Sequence, residues 1–255
     1  MSSLKPALVR ALNRFGLELR DNSRHISQLQ QEPPQASAGW IVEVIGTQGV
    51  GKSTLNNALH RLLKSRWYFR GDLKYTGPTE VQKDDIEALH REVYLRKFDR
   101  VRGMDQAPWK TLTQCRQMSV VIYESLMITS NSFPRGFILD ESLFKNFPRE
   151  VLACDPDYAR PLWERRAFVH LRSRDPTFTL ERFVGRRDDR AQKGLVQHAE
   201  ADADILRRIE EDNDLYGRMC ETAKTLGTPA VTVYAEDSLE RNIQQILDFE
   251  TTLTA

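Results

Sequence analysis

Three cysteines in 255 residues, Cys115, Cys154 and Cys220, are too few, too far apart and odd in number for a disulfide framework. None sits in C-x-x-C or Cys/His spacing, so a structural zinc site is not expected either, and the usage fits a reducing compartment. The chain also lacks any apolar run near the roughly 20 residues of a membrane span. Its start has no hydrophobic core segment and no small-residue cleavage site, so the expected location is the cytoplasm. Charge of one sign is missing as well. With 37 Lys/Arg against 36 Asp/Glu the net charge is +1, and no global field draws the chain to nucleic acid or to a membrane. What remains, 40% hydrophobic and 29% charged residues, is an ordinary globular composition, long enough to bury a sizeable core.

No internal repeat is present. A proline- and small-residue stretch, "QQEPPQASAG" (Gln30 to Gly39), reads as a linker and divides residues 1–38 from a main domain over 39–255. Before it, Leu4, Leu8, Leu12, Phe15 and Leu19 fall on one helical face, with Lys5, Arg10, Arg14 and Arg20 around them. The pattern predicts a basic amphipathic helix, either packed on the domain's own surface or meeting an anionic membrane or a protein partner.

Beyond the linker, short apolar runs alternate with helical periodicity. "WIVEVI" (Trp40–Ile45), "WYF" (Trp67–Phe69), "GFIL" (Gly136–Leu139), "RAFVHL" (Arg166–Leu171) and "PAVTVY" (Pro229–Tyr234) predict five strands. Helices are expected near Lys52–Ser65, Glu80–Val101, Leu112–Thr129, Gln197–Leu226 and Ser238–Thr251. The fourth ends at "GTP" (Gly227–Pro229), a glycine just past the helix with proline two further on. Alternation of this kind implies an α/β fold with a five-stranded parallel sheet between helical layers. In such sheets ligands bind at the carboxyl ends of the strands, where each chemical group below is expected.

Directly after the first strand stands "GTQGVGKST", the G-x-x-x-x-G-K-S pattern of a phosphate-binding loop. Its glycines permit positive φ and close backbone approach. Successive N–H groups from Gly46, Gln48, Gly49, Val50, Gly51, Lys52, Ser53 and Thr54, backed by a helix N-terminus, converge on phosphate. Lys52 reaches the β- and γ-phosphates, and the Ser53 hydroxyl ligates Mg²⁺. Guanine selection by N-K-x-D has no counterpart, since none of the eight asparagines precedes a lysine, and ATP is therefore the expected nucleotide.

The third strand ends in Asp140-Glu141-Ser142. A carboxylate there faces the phosphate loop from the neighbouring strand, placed to hold Mg²⁺ (Asp140) or to take a proton from an attacking hydroxyl (Glu141). Capping of the following turn is the alternative role for this acid. Asp72, in "WYFRGDLKY", is the other candidate base beside the acceptor, and a simple turn aspartate after Gly71 has the same composition. Seven Lys/Arg against four Asp/Glu fill Arg172–Gly194, with Arg182, Arg186, Arg187 and Arg190 clustered. A solvated loop has such a composition, but its place after the fourth strand predicts an arginine-rich lid over about 172–195 that stabilises charge on a transferring phosphoryl group. Arg116, with Gln117, is a candidate for lining the acceptor pocket from the helix before the third strand.

The order of these parts resembles the P-loop small-molecule kinases, particularly the deoxynucleoside and thymidylate kinase branch. The shared segments are "GTQGVGKST", a long helix containing "CRQMSVVIYESL" (Cys115–Leu126), "DESLF", "FVHLRSRDPTFTLERFVGRR" and "PAVTVYAEDSLERNIQQIL". The likeness runs from Trp40 to the end. It implies a three-layer P-loop fold, ATP with Mg²⁺, a small hydroxyl or phosphate acceptor, and a loop near Ala235–Asp237 packed against the base. That branch carries Glu-Arg-Ser or Asp-Arg where this chain has Asp140-Glu141-Ser142. It has a carboxylate-proline pair where "RGDLKYTGP" (Arg70–Pro78) stands, and Asp72 looks more like kinases of sugars and other hydroxyl compounds. The expected activity is thus ATP-dependent phosphoryl transfer to a nucleoside, nucleotide or sugar-type compound. The competing class is a nucleotide-driven switch that acts through a protein or membrane partner.

Overall fold

The computed structural model describes residues 33–72, 84–192 and 201–254. The expected N-terminal helix lies outside them. Five parallel strands form one sheet: β1 (Ile41–Ile45), β2 (Trp67–Phe69), β3 (Gly136–Leu139), β4 (Arg166–Arg172) and β5 (Ala230–Tyr234), in the order β2-β3-β1-β4-β5. All five expected strands are present, with ends within a residue of the apolar runs that predicted them. The longer helices are α1 (Lys52–Leu63), α2 (Asp84–Arg102), α3 (Pro108–Ser130), α7 (Pro176–Gln192), α8 (Asp202–Thr225) and α9 (Leu239–Thr254). Among the described residues no helix is long and apolar enough to cross a membrane.

Two departures from the sequence reading stand out. Three short helices, α4 (Leu143–Asn146), α5 (Pro148–Leu152) and α6 (Pro156–Trp163), fill the connection from β3 to β4 where none was expected. The start of α6 was signalled, since Asp155 caps it by accepting from the N–H groups of Asp157 (3.0 Å) and Tyr158 (3.1 Å), with Pro156 in the first turn. The stretch read as a lid also holds a helix that was not expected. Arg172 closes β4, and Pro176–Gln192 is helical. Thr179 and Phe183, four residues apart on one helical face, both turn toward Gly49.

The two faces of the sheet bury different chemistry. Val42 and Val44 of β1 point into an apolar cluster with Leu55, Leu59 and Leu63 of α1 and Ile246 and Leu253 of α9. Ile45 points the other way, with Phe168, into a core built by α2, α3, α8 and the short helices. Between Ile41 and Ile45 on that second face lies Glu43, fully buried. The strand period of two sends it there. At the amino end of the sheet, the last part of the expected linker is bonded in place. Ser37 is buried, its hydroxyl donates to Arg66 O at 2.5 Å, and Gly136 N donates to it at 3.2 Å.

Candidate active site

The phosphate loop leaves β1 at the centre of the sheet, between β3 and β4, where the strand order reverses direction. This crevice is the binding position that a doubly wound sheet offers. Gly46 has φ +147°, and a Cβ there would stand 2.2 Å from Leu171 O, so only glycine lets the loop pass β4 this closely. Gly51 (φ 113°) precedes α1, and no side chain caps the helix. Thr54 N donates to Gly51 O at 3.0 Å, and the N–H groups of Lys52 and Ser53 before it are the ones that suit an anion. Gln48, Ser53 and Thr54 are exposed along the loop, while Gly49 and Val50 are buried.

Lys52 is buried and folds back on the loop, its Nζ donating to Gly46 O and Thr47 O at 2.7 Å each. Burial lowers its pKa to about 8 and the charge of Lys145 adds to this, against the carboxylates of Glu141, Asp140 and Asp212. The lysine therefore sits in a ring of charge that sequence only half foresaw. Asp140 and Glu141 come from the turn after β3. Lys145 of α4 pairs with Glu141, and Asn146 Nδ2 donates to Glu141 Oε2 at 3.4 Å. Burial pushes the Glu141 carboxyl up, but Lys145, Asn146 and Lys52 together hold it below the usual carboxylate range. Asp212 of α8 accepts from Thr47 Oγ1 at 3.3 Å. Lys145 follows Glu141 at the i,i+4 spacing of a local ion pair, a signal the sequence reading passed over, whereas no local pattern marked Asp212, which reaches Thr47 only through the tertiary fold.

Helix α7 crosses the phosphate loop. Arg182 Nη1 donates to Val50 O at 3.3 Å, and a Cβ on Gly51 would meet the same nitrogen at 3.3 Å. A Cβ on Gly49 would touch Phe183 Cβ at 3.4 Å. Of the clustered arginines, then, Arg182 is brought to the loop. Arg187 instead joins α7 to α8 through Asp202 (2.9 Å), Arg186 is exposed, and Arg190 lies further along the same helix.

At the end of β2, Asp72 ends a short 3-10 turn (Arg70–Asp72) and accepts from Phe69 N at 2.8 Å, which is the turn-aspartate role. Its neighbour Arg70 pairs with Glu124 of α3, Nε to Oε2 at 3.1 Å. Burial raises the Glu124 carboxyl, countered by Arg70. Arg116 and Gln117 are exposed on α3. The loop after β5 is tied to the turn after β4. Glu236 accepts from Ser173 Oγ (2.5 Å), Arg174 N (2.8 Å) and Asp175 N (3.1 Å). Arg174 lies over the Tyr234 ring at 3.9 Å and pairs with Asp237 at 2.9 Å.

Among the described residues no group of three or more His, Cys, Asp or Glu side chains is placed to hold a metal alone. The donor set still fits Mg²⁺, which favours one or two protein oxygens with the rest from phosphates and water. An exposed Ser53 hydroxyl at the start of α1 and a half-exposed Asp140 on the adjacent strand end are such donors.

No family model matches this chain, and no curated protein matches it. Solved structures similar to it include a gluconokinase from Sinorhizobium meliloti 1021, 16% identical over 85% of this chain and 94% of that one, with a TM-score of 0.39. A deoxyadenosine kinase from M. mycoides with bound dATP is 17% identical over 82% and 98% of the two chains, with a TM-score of 0.43.

Proposed function

We propose that the chain is a P-loop kinase that moves the γ-phosphoryl group of ATP to a small acceptor, a nucleoside, nucleotide or sugar-type hydroxyl compound. One observation carries this reading. The buried Lys52 of the glycine loop feels the charges of Asp140 and Glu141 from the turn after β3, while Arg182 of α7 reaches the same loop at Val50 O. Phosphoryl transfer needs little else from a protein than positioned charge.

In this reading Gly46, Gln48, Gly49, Val50, Gly51, Ser53 and Thr54 bind the phosphates through the loop and the start of α1. Lys52 moves from the carbonyls of Gly46 and Thr47 onto the β- and γ-oxygens. Ser53 and Asp140 would hold Mg²⁺, which when bound neutralises charge on those oxygens. The acceptor oxygen attacks the γ-phosphorus, the bond from phosphorus to the β,γ-bridging oxygen breaks, and ADP leaves. Glu141 takes the acceptor's proton. It stays ionised beside Lys52, whereas Asp72 commits an oxygen to Phe69 N. Arg182 stabilises the transferring group, and α7, which carries it, excludes water. Asp72, Arg116 and Glu141 border the acceptor.

ADP release from ATP and Mg²⁺, measured against a panel of nucleosides, nucleotides, sugars and aminoglycosides, tests the proposal. One class is expected to accelerate the rate, and Lys52→Ala to lose that rate by about 100-fold or more. A rate raised instead by a protein or by vesicles, with no small acceptor effective, would turn the assignment to a nucleotide-driven switch.

A further inference from the structure

The polar face of β1 carries a side chain that no step above uses. Glu43 is fully buried, and one of its oxygens, Oε2, accepts from Ser142 Oγ and from Phe144 N, the latter at 3.0 Å. Its other oxygen accepts from Nη1 of Arg166, which is equally buried at the start of β4. Arg166 extends the network. Nε donates to Leu162 O at 2.6 Å and Nη2 to Ser125 Oγ at 3.1 Å, and that hydroxyl meets His90 Nε2 at 2.9 Å. His90 Nδ1 lies 2.8 Å from Ile86 O.

A buried ion pair contributes little net stability, because desolvation offsets the attraction. The network's placement is more telling. One arm ends on Ser142 and Phe144, the residues that follow Asp140 and Glu141 without a break. The other ends on Ser125, whose chain neighbour Glu124 holds Arg70 at the end of β2. Glu43 itself lies three residues before Gly46. A single carboxylate on β1 thereby fixes the turn of β3 against the strand that launches the phosphate loop.

We propose that Glu43 is a positioning residue that acts through Ser142, setting the Asp140-Glu141 turn at the distance from Lys52 and Ser53 that Mg²⁺ with ATP requires. The proposal rests on the kinase reading above. Outer-shell partners of this kind change metal affinity by about 10- to 100-fold when removed.

The test uses the whole chain and a fluorescent ATP analogue, bound first in EDTA and then titrated with MgCl₂. Ser142→Ala removes the tie and leaves the Glu43–Arg166 pair in place. Glu43→Gln keeps the shape and serves as a second variant. Ile246→Ala, in the apolar layer on the other face, is the control for a lesion that is only structural. Both polar variants are expected to bind the analogue in EDTA within about twofold of the parent and to need on the order of tenfold more Mg²⁺ for half-saturation. Ile246→Ala is expected to lower the melting temperature and leave the Mg²⁺ midpoint alone. Mg²⁺ midpoints for Ser142→Ala and Glu43→Gln no further shifted than that of Ile246→Ala overturn the positioning role alone. Failure of the parent itself to bind the analogue, or to respond to Mg²⁺, overturns the kinase reading and the positioning role with it.

Discussion

The two faces of β1 have been put to opposite uses by one pentapeptide, Ile-Val-Glu-Val-Ile. Toward α1 and α9 the strand shows Val42 and Val44 to a mainly apolar layer, whose stability comes from area removed from water, with Glu250 of α9 bonded to Trp67 Nε1 (2.8 Å) away from β1. Toward α2 and α3 it shows Glu43, the centre of a buried network of charge and hydroxyl groups. The apolar face requires only approximate shape and volume. The polar face requires every donor to find its acceptor, and burial of charge raises the cost of any miss. Uneven demands of this sort place the Asp140-Glu141 turn next to the polar network, through Ser142, and α1 on the apolar side.

Breaking the polar face should cost most. Glu43→Ala strands a buried guanidinium, and denaturant unfolding is expected to show a loss of about 3–5 kcal/mol. The double variant Glu43→Leu with Arg166→Met should recover most of that loss, since a well-packed apolar pair often matches a buried ion pair. If the double variant is no more stable than Glu43→Ala, the face is limited by shape and not by charge.

The apolar face offers the next comparison. Ile246→Ala should cost about 2–5 kcal/mol, set by the methyl groups lost and the cavity left, and should be indifferent to pH and salt. A loss that varied with salt would show that the Arg66–Glu250 pair of the same layer is disturbed as well.

A third measurement separates the faces by pH. Burial lowers the pKa of both His90 and His170 to about 4, and both lie on the polar side. Each binds its proton more readily unfolded than folded. Stability is therefore complete above the ordinary histidine pKa near 6.5 and falls as pH drops from there toward 4, by roughly 1 kcal/mol per pH unit for each histidine. His90→Gln should flatten that slope by about half. A slope unchanged in this variant would place the proton uptake elsewhere.

Much of this molecule could be read along the chain. The glycine loop after β1 was legible because its requirements are local: glycines where φ is positive, a strand before, a helix after. The strands were legible because a buried parallel sheet writes itself as short apolar runs. Helix α7 was not foreseen within the stretch read as a lid, since its charges are visible in sequence while the surface that Phe183 packs against is not. The arginine cluster announced that something closes over the loop, but not that Arg182 is the residue that reaches Val50. Glu43 left one trace, a charge inside a buried strand, which by itself calls for a partner. Nothing near it in the chain named Arg166.

The sequence by itself determined the kind of sheet, the loop at the end of β1 and the charge types around it, because strand period, glycine geometry and helix termini act over a few residues. The tertiary structure alone decided that Lys145 and Asp212 stand beside Lys52, and that α7 presents Arg182. It alone joined Glu43 to Arg166 across 123 positions of chain. Those pairings follow from the order of strands in the sheet, and the energy of a buried charge depends on what lies across from it in space.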